Sequence, residues 1–193
     1  MNGLVPSSDA WIAAALADLD QKTPRLLIDH AHCERRAAAM ALKHVDRHAG
    51  WPRLAERLSR LAREELVHFE RVLGELRARG VPFRAQPGAG YGAALFAAVR
   101  PGEKIVDEML VCAIIEARSH ERFERLTAAL GGNGLGPLYA DLREAEARHG
   151  EIYLELAHEA AGADVGPRLA ELLAQEAIVI ARPGQPIRMH AGG

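Results

Sequence analysis

The sequence predicts an all-α protein built as a four-helix bundle. Hydrophobic residues make up 49% of the 193 residues, but aromatic residues make up only 5%, and this composition favours packed helices over a β-sandwich. Several long segments repeat apolar residues at helical spacing, with Gly and Pro between them. The length corresponds to a single domain that can bury a core.

The first half of the chain predicts one short helix and two long ones. The short helix covers residues 8–20, and Ser7, Ser8 or Asp9 is available as its cap. Thr23 and Pro24 resemble a cap followed by Pro at the first helical position, so the first long helix begins there and ends near Gly50. The residues predicted to form a stripe along its core-facing side are Leu27, His30, Ala31, Glu34, Ala37, Ala38, Ala41 and Val45.

The second long helix begins at Trp51-Pro52 and ends at Gly80. Its short connection to the first long helix predicts two antiparallel neighbours. Residues 80–102 are rich in Pro and Gly, with room for a short helix over 91–99. Such a long connection is typical of the crossover in a four-helix bundle, where it makes the second and third long helices parallel.

The second half of the chain also predicts two long helices and one short helix. The third long helix runs from about residue 103 to 130 and ends at Gly131-Gly132-Asn133-Gly134. The fourth begins at Pro137 and continues to about residue 161, and a last helix covers about 167–181. The tail from Pro183 to Gly193 is expected to be loose.

A glutamate and a histidine three residues apart occur on two of these helices. Three residues turn a helix by about 300° and rise about 4.5 Å, so Glu65 and His68 point the same way from adjacent turns. The pair lies on an apolar stripe, where an uncompensated charge is costly. Glu146 and His149 repeat the pattern on the fourth long helix. Each pair can therefore share a metal ion.

Each pair also has a lone glutamate upstream. The separation between Glu34 and Glu65 is nearly the same as that between Glu116 and Glu146, so one almost constant shift along the chain relates the two halves. One Glu from each of two helices and Glu-x-x-His from each of the other two is the ligand set of ferritin-like di-iron bundles. The prediction is a single ferritin-like di-iron domain over residues 1–193.

The remaining polar residues near these positions have weaker interpretations. Carboxylate and imidazole ligands suit iron or manganese. His30 and His120 lie one turn from Glu34 and Glu116, so each is either a supporting group for a ligand or a plain core histidine. Glu155 and His158 form a third Glu-x-x-His, but they lie about 180° from the ligand face and are expected at the surface.

Charge and cysteine content restrict the partners and the compartment. The net charge of −2 argues against a generic nucleic-acid binder, but residues 22–84 carry 14 Lys and Arg against 8 Asp and Glu, which predicts an anionic partner on one side unless these are only solvated helix faces. Cys33 and Cys112 lack metal-ligand spacing and are expected to pack in a reduced, cytoplasmic protein. No apolar stretch is long enough to span a membrane.

Four longer stretches resemble one family. Residues 26–35 (LLIDHAHCER), 63–70 (REELVHFE), 115–123 (IEARSHERF) and 144–149 (EAEARH) are similar to the bacterial tRNA-(2-methylthio-N6-isopentenyladenosine) hydroxylases, the MiaE family. The resemblance spans roughly residues 20–160 and includes all six candidate ligand positions.

The resemblance implies a non-haem di-iron monooxygenase. Two irons held by Glu34, Glu65, His68, Glu116, Glu146 and His149 would use O₂ and an external reductase to hydroxylate the isopentenyl chain of a modified adenosine beside the tRNA anticodon. Small residues on the first long helix would admit that chain. The expected tRNA surface consists of Lys22, Arg25, Lys43, Arg47, Arg53, Arg57 and Arg60.

Two other functions fit the same residues. A ferritin-like iron- or peroxide-handling protein, of the ferroxidase or manganese catalase type, would use the ligands without an organic substrate. A non-enzymatic helical bundle that binds RNA would use the basic segment without the metals.

Overall fold

Seven α-helices form most of the chain in the computed structural model, which describes residues 1–132, 134–182 and 184–191. They are α1 (Asp9–Leu19), α2 (Arg25–Arg47), α3 (Pro52–Ala78), α4 (Tyr91–Phe96), α5 (Lys104–Leu130), α6 (Gly136–Ala161) and α7 (Gly166–Ile180), with a 3₁₀ turn at Pro101–Glu103 before α5. Each helix predicted from the sequence is present, with ends within a few residues of the expected ones. Asn133, part of the predicted end of the third long helix, lies outside the described residues.

The described residues contain no β-strand, and their single β-bridge joins Arg188 and Ala191. Among the same residues, no helix combines the length and the apolar character needed to cross a membrane.

The first two helix starts are capped differently. The Ser8 hydroxyl accepts a hydrogen bond from the Trp11 amide at 3.0 Å, which selects one of the three predicted caps of α1. The prediction for α2 is wrong, because the helix begins after Pro24 and Thr23 is then outside the capping position. The Asp18 carboxylate takes this role and accepts a hydrogen bond from the Leu26 amide at 2.7 Å.

The chain divides into two compact units, each of which contains one long-helix hairpin. The first-hairpin unit comprises residues 15–88, with α2 packed on α3. Its buried apolar side chains are Leu26, Leu27, Ile28, Ala31, Ala38 and Ala41 from α2 and Leu54, Leu58, Leu61, Ala62, Val72 and Leu76 from α3. At the end of α2 the structure buries His44 and leaves Val45, which the predicted stripe included, only half-buried.

The start of the crossover belongs to the first-hairpin unit. Val81 is buried, and the His32 ring makes a hydrogen bond from Nε2 to the Arg84 carbonyl oxygen at 2.9 Å. The Gln86 amide donates to the Arg25 carbonyl oxygen at 3.1 Å. These contacts attach residues 81–88 to α2.

The second-hairpin unit comprises residues 1–14 and the chain from Ala89 onward. In it α5 packs on α6, and the shorter helices α4 and α7 pack on each other and on α5. Its core includes Trp11, Met109, Leu110, Val111, Ile114, Phe123, Leu126, Tyr139, Leu142, Tyr153 and Leu156.

The end of the described chain is packed, contrary to the predicted loose tail. Met189, His190 and Ala191 are buried. Arg122 donates to the Met189 carbonyl oxygen at 2.5 Å, and the Trp11 indole donates to the Ala191 carbonyl oxygen at 3.0 Å. Buried donors on α1 and α5 therefore bind the tail backbone. Pro183, Gly192 and Gly193 of the predicted tail lie outside the described residues.

Two fully buried arginines organise this region. The Arg118 guanidinium donates to both carboxylate oxygens of Glu176 at 2.9 and 3.0 Å, and the Tyr91 hydroxyl donates to the same carboxylate at 2.9 Å. Arg122 lies 4.0 Å from the centre of the Trp11 ring. Burial, together with the neighbouring charge of Arg118, lowers the pKa of Arg122 to about 9.

Deletion of residues 187–193 should destabilise the protein, because Arg122 loses carbonyl acceptors while it stays buried. We expect a loss of at least about 2 kcal/mol of unfolding free energy, equivalent to roughly 4–8 °C in Tm, measured by thermal and urea unfolding. In an Arg122→Met background the same deletion should cost clearly less, since no buried charge is then left uncompensated. An equal loss in both backgrounds would contradict this role of Arg122.

Candidate metal centre

The first-hairpin unit brings three of the predicted ligands together. Glu34 comes from the middle of α2, and Glu65 and His68 come from adjacent turns of α3. The His68 Nδ1 atom lies 3.6 Å from Glu34 Oε2 and 3.7 Å from Glu65 Oε2. All three residues are buried, so two carboxylates and an imidazole converge inside the unit.

His30 supports this first triad. Its Nε2 atom lies 2.6 Å from Glu34 Oε1, one helical turn away, and both side chains are buried. Burial alone would raise the pKa of Glu34, but the hydrogen bond from His30 and the neighbouring His68 ring bring it well below its usual range. Glu34 is therefore held as a carboxylate with a fixed orientation. Of the two roles that the sequence left open for His30, its contact with Glu34 favours the supporting group.

The second-hairpin unit repeats the arrangement. Glu116 comes from α5, and Glu146 and His149 come from adjacent turns of α6. One ligand atom from each lies within 4.8 Å of the others, and all three residues are buried. Gly150, next to His149, is also buried, and a methyl group there would lie 3.7 Å from Glu116 Cβ. An alanine would make only ordinary van der Waals contact at this position, where α6 packs on α5 beside Glu116.

The residues of each triad fit a metal ion. Donor atoms that share a transition-metal ion at about 2.0–2.2 Å lie roughly 3–4 Å apart, and the first triad has this spacing between His68 and both carboxylates. Each triad also buries two acids, which is costly without a compensating cation. The donor set of carboxylate and imidazole, without thiolate, suits iron or manganese.

The other polar residues near the triads occupy different roles. Glu155 and His158 are exposed, as expected from their position on the far side of α6. His120 makes a hydrogen bond from Nδ1 to the Arg143 carbonyl oxygen at 3.0 Å. It therefore links α5 to α6 without contacting Glu116 in the way that His30 contacts Glu34.

Both cysteines are thiols in packed surroundings. Burial raises the pKa of Cys33 and of Cys112 well above the usual range, and the nearby carboxylates Asp29 and Glu116 raise them further. Neither is a thiolate, which agrees with the prediction that they are packing residues.

The predicted tRNA-contacting residues all lie in the first-hairpin unit. Lys22, Arg25, Lys43, Arg47, Arg53 and Arg60 are exposed, and Arg57 is half-buried. Arg60 forms an ion pair with Glu56 at 2.6 Å, so part of its charge is compensated locally.

Sequence reasoning missed two groups of residues. One is the buried network of Arg118, Arg122 and Glu176, for which the sequence has no signal because charged residues at helical spacing usually face solvent. The other is a cluster of His32, Phe69 and Phe83 on the first-hairpin unit. Its signal, a single phenylalanine directly after the proline that follows α3, is weak.

A solved structure supports the fold assignment. Protein 43 with aldehyde deformylating oxygenase activity from Synechococcus is 39% identical and superposes with a TM-score of 0.88 over 100% of this chain and 98% of its own. The prediction of an all-α, ferritin-like helical bundle is confirmed.

Comparison with other sequences identifies the family. The profile of the family described as tRNA-(MS[2]IO[6]A)-hydroxylase (MiaE) matches residues 4–191. The tRNA 2-(methylsulfanyl)-N(6)-isopentenyladenosine(37) hydroxylase of Pseudomonas putida is 45% identical over 97% of this chain and 90% of the relative. The Salmonella typhimurium protein of the same name is 30% identical over 97% of this chain and 86% of its own length. The resemblance found in four short stretches thus extends over nearly the whole sequence, and the chain belongs to the MiaE family.

Proposed function

We propose that this protein is an O₂-dependent non-haem di-iron monooxygenase. It hydroxylates the isopentenyl side chain of 2-methylthio-N6-isopentenyladenosine beside the anticodon of tRNA. The observation that carries the proposal is membership of a family whose two named relatives act on this nucleoside, in a chain that buries a Glu-Glu-His triad in each hairpin.

The proposed site uses both triads within one di-iron domain of residues 1–193. Its six ligands are Glu34, Glu65, His68, Glu116, Glu146 and His149. Support comes from the convergence of three ligands within each unit, from their burial, and from the match to the ligand set of di-iron bundles.

The chemistry divides between the metals and the protein. Bound iron supplies activation of O₂ for oxidation of a C–H bond. One oxygen atom enters the prenyl chain and the other leaves as water, so each turnover needs two electrons and two protons. The electrons come from an external reductase of the cell.

The chain's own residues orient the ligands and exclude water. His30 donates to Glu34 and so holds one carboxylate in place. Ala31, Ala38 and Ala41 on the buried face of α2 have small side chains, which are proposed to admit the prenyl group. Burial raises the pKa of both cysteine thiols well above the usual range.

A second candidate activity follows from the solved relative. The Synechococcus protein is named for aldehyde deformylating oxygenase activity, and it is 39% identical to this chain. Handling of iron or peroxide, as in ferroxidases or manganese catalases, uses the same kind of ligands. Both alternatives act without RNA, so the basic segment of residues 22–84 favours the tRNA substrate.

The decisive assay is mass spectrometry of nucleosides. Iron-loaded protein is incubated with reductant, O₂ and tRNA that carries 2-methylthio-N6-isopentenyladenosine. We expect this nucleoside to gain one oxygen atom, and no gain without O₂ or with Glu65→Ala. Parallel incubations with a long-chain aldehyde and with hydrogen peroxide test the alternatives, and turnover of either without nucleoside hydroxylation would reject the proposal.

Metal analysis tests the ligands separately from turnover. His68→Ala and His149→Ala should each lower the iron content from about two ions per chain and abolish hydroxylation. His158→Ala is the matched control, since it belongs to the exposed Glu-x-x-His on α6, and its iron content should equal that of the wild type. Normal iron content and turnover in His68→Ala would refute the assignment.

Three arginines on α3 allow a test of the proposed tRNA surface. Replacing Arg53, Arg57 and Arg60 together with Gln should weaken tRNA binding and reduce the slope of log K against log salt, because these residues are proposed to neutralise phosphates. The iron content should stay unchanged. Binding at several salt concentrations measures both effects, and an unaltered affinity would reject these arginines as part of the surface.

A further inference from the structure

Three aromatic rings meet at the surface of the first-hairpin unit. Phe83, in the segment after α3, lies with its ring centre 4.6 Å from that of His32 and 5.4 Å from that of Phe69. His32 is buried, whereas Phe83 is 40% exposed. The Phe83 ring is thus supported from within the protein and open to solvent on its outer side.

Two hydrogen bonds attach the segment that carries Phe83 to α2. The His32 ring is hydrogen-bonded to the Arg84 carbonyl oxygen at 2.9 Å, and the Gln86 amide donates to Arg25 at 3.1 Å. Phe83 therefore lies on a segment whose backbone is attached to α2. A ring fixed in advance loses little freedom when a ligand stacks on it.

The cluster lies at the level of the first metal triad. His32 precedes Glu34 by two residues on α2, and Phe69 directly follows His68 on α3. With a rise of about 1.5 Å per residue, each ring is within one helical turn of a ligand along its helix.

The second hairpin has no aromatic side chains at the positions equivalent to His32 and Phe69. Aligning the two halves on their ligands places Ile114 at the position equivalent to His32 and Gly150 at the position equivalent to Phe69. The second hairpin therefore packs without aromatic residues at the same places. The aromatic cluster is a property of the basic half of the chain alone.

The surroundings of Phe83 are basic. Arg36 follows His32 by one helical turn on α2, and Arg84 is the neighbour of Phe83 in the chain; both are exposed. Arg36 lies 3.6 Å from the buried Asp29, which restrains its guanidinium. An exposed aromatic ring beside arginines is typical of surfaces that bind unpaired nucleotides, whose bases stack on the ring while phosphates contact the cations.

We propose that Phe83, supported by His32 and Phe69, is a stacking platform for a nucleobase of the anticodon loop next to the modified adenosine. Arg36 and Arg84 contact the phosphates of the same loop. The platform rests on the proposed function for the identity of the RNA. It holds the neighbouring base at the level of the metal triad while the prenylated adenosine reacts.

The test uses a synthetic anticodon stem-loop RNA with 2-aminopurine at the position next to the target adenosine. Binding is measured with iron-loaded protein, without reductant, by fluorescence anisotropy and by quenching of 2-aminopurine. Phe83→Leu keeps an apolar side chain but removes the ring, so we expect binding to weaken roughly ten-fold and quenching to disappear. Phe83→Trp should preserve both signals.

Two further variants separate stacking from general effects. Ile178→Ala removes another exposed apolar side chain, in the second-hairpin unit, and should bind like the wild type. Arg36→Gln should retain quenching but lower the salt slope by about one. Thermal unfolding verifies that each variant is folded.

The outcomes distinguish this proposal from the proposed function. Unchanged affinity and quenching in folded Phe83→Leu would overturn the platform, even if the enzyme hydroxylates tRNA normally. Equal weakening in Ile178→Ala would also overturn it. Phe83-dependent binding and quenching, in a protein that leaves the nucleoside unmodified, would support the platform and refute the proposed hydroxylation.

Discussion

Burial of paired carboxylates is the constraint on which the rest of this structure depends. Each hairpin places two glutamates and a histidine in its interior, where ionised acids without a counter-charge cost several kcal/mol each. A bound cation would remove that cost, and the helices supply the geometry for it. Glu65 and His68 reach one point because they are three residues apart, and Glu34 reaches it from α2, which packs on α3. The sequence spacing therefore brings the buried acids and the histidine to the point where a cation would compensate their charge.

The parts of the structure that depend on local spacing could be predicted from the sequence. Helix ends follow Gly and Pro, and the convergence of Glu146 with His149 follows from the helical period. The packed tail could not be predicted, because its partners are distant in sequence: Arg122 on α5 binds the Met189 carbonyl oxygen near the end of the chain. The predicted cap of α2 was wrong for a more local reason. Asp18, near the end of α1, accepts a hydrogen bond from the Leu26 amide. Pro24 occupies the capping position of α2, so Thr23 lies outside it.

Helix α5 shows why a single apolar stripe was an incomplete description of the second hairpin. Arg118 follows Glu116 by two residues, or about 200° around the helix, yet both are buried. One face of α5 thus presents the proposed metal ligand, while another face binds Glu176 of α7 and the tail backbone. A buried arginine with paired oxygen acceptors has a strongly preferred geometry. The network therefore fixes the rotation and height of α5, and with them the position of Glu116.

The two hairpins share a repeat but differ in how they support their ligands. Aligning the lone glutamates makes Cys112 the counterpart of His30, one turn before the ligand in each half. His30 donates a hydrogen bond to Glu34, whereas Cys112 is a protonated thiol whose pKa is raised by burial and by Glu116 itself. The Glu34 carboxylate is thus stabilised as an anion by the neighbouring imidazole. The first hairpin also carries the excess of basic residues and the aromatic cluster around Phe83. The proposed RNA-binding residues and the His30–Glu34 hydrogen bond therefore lie in one half of the repeat, while in the other half buried Arg118 and Arg122 lie on the helix that carries Glu116.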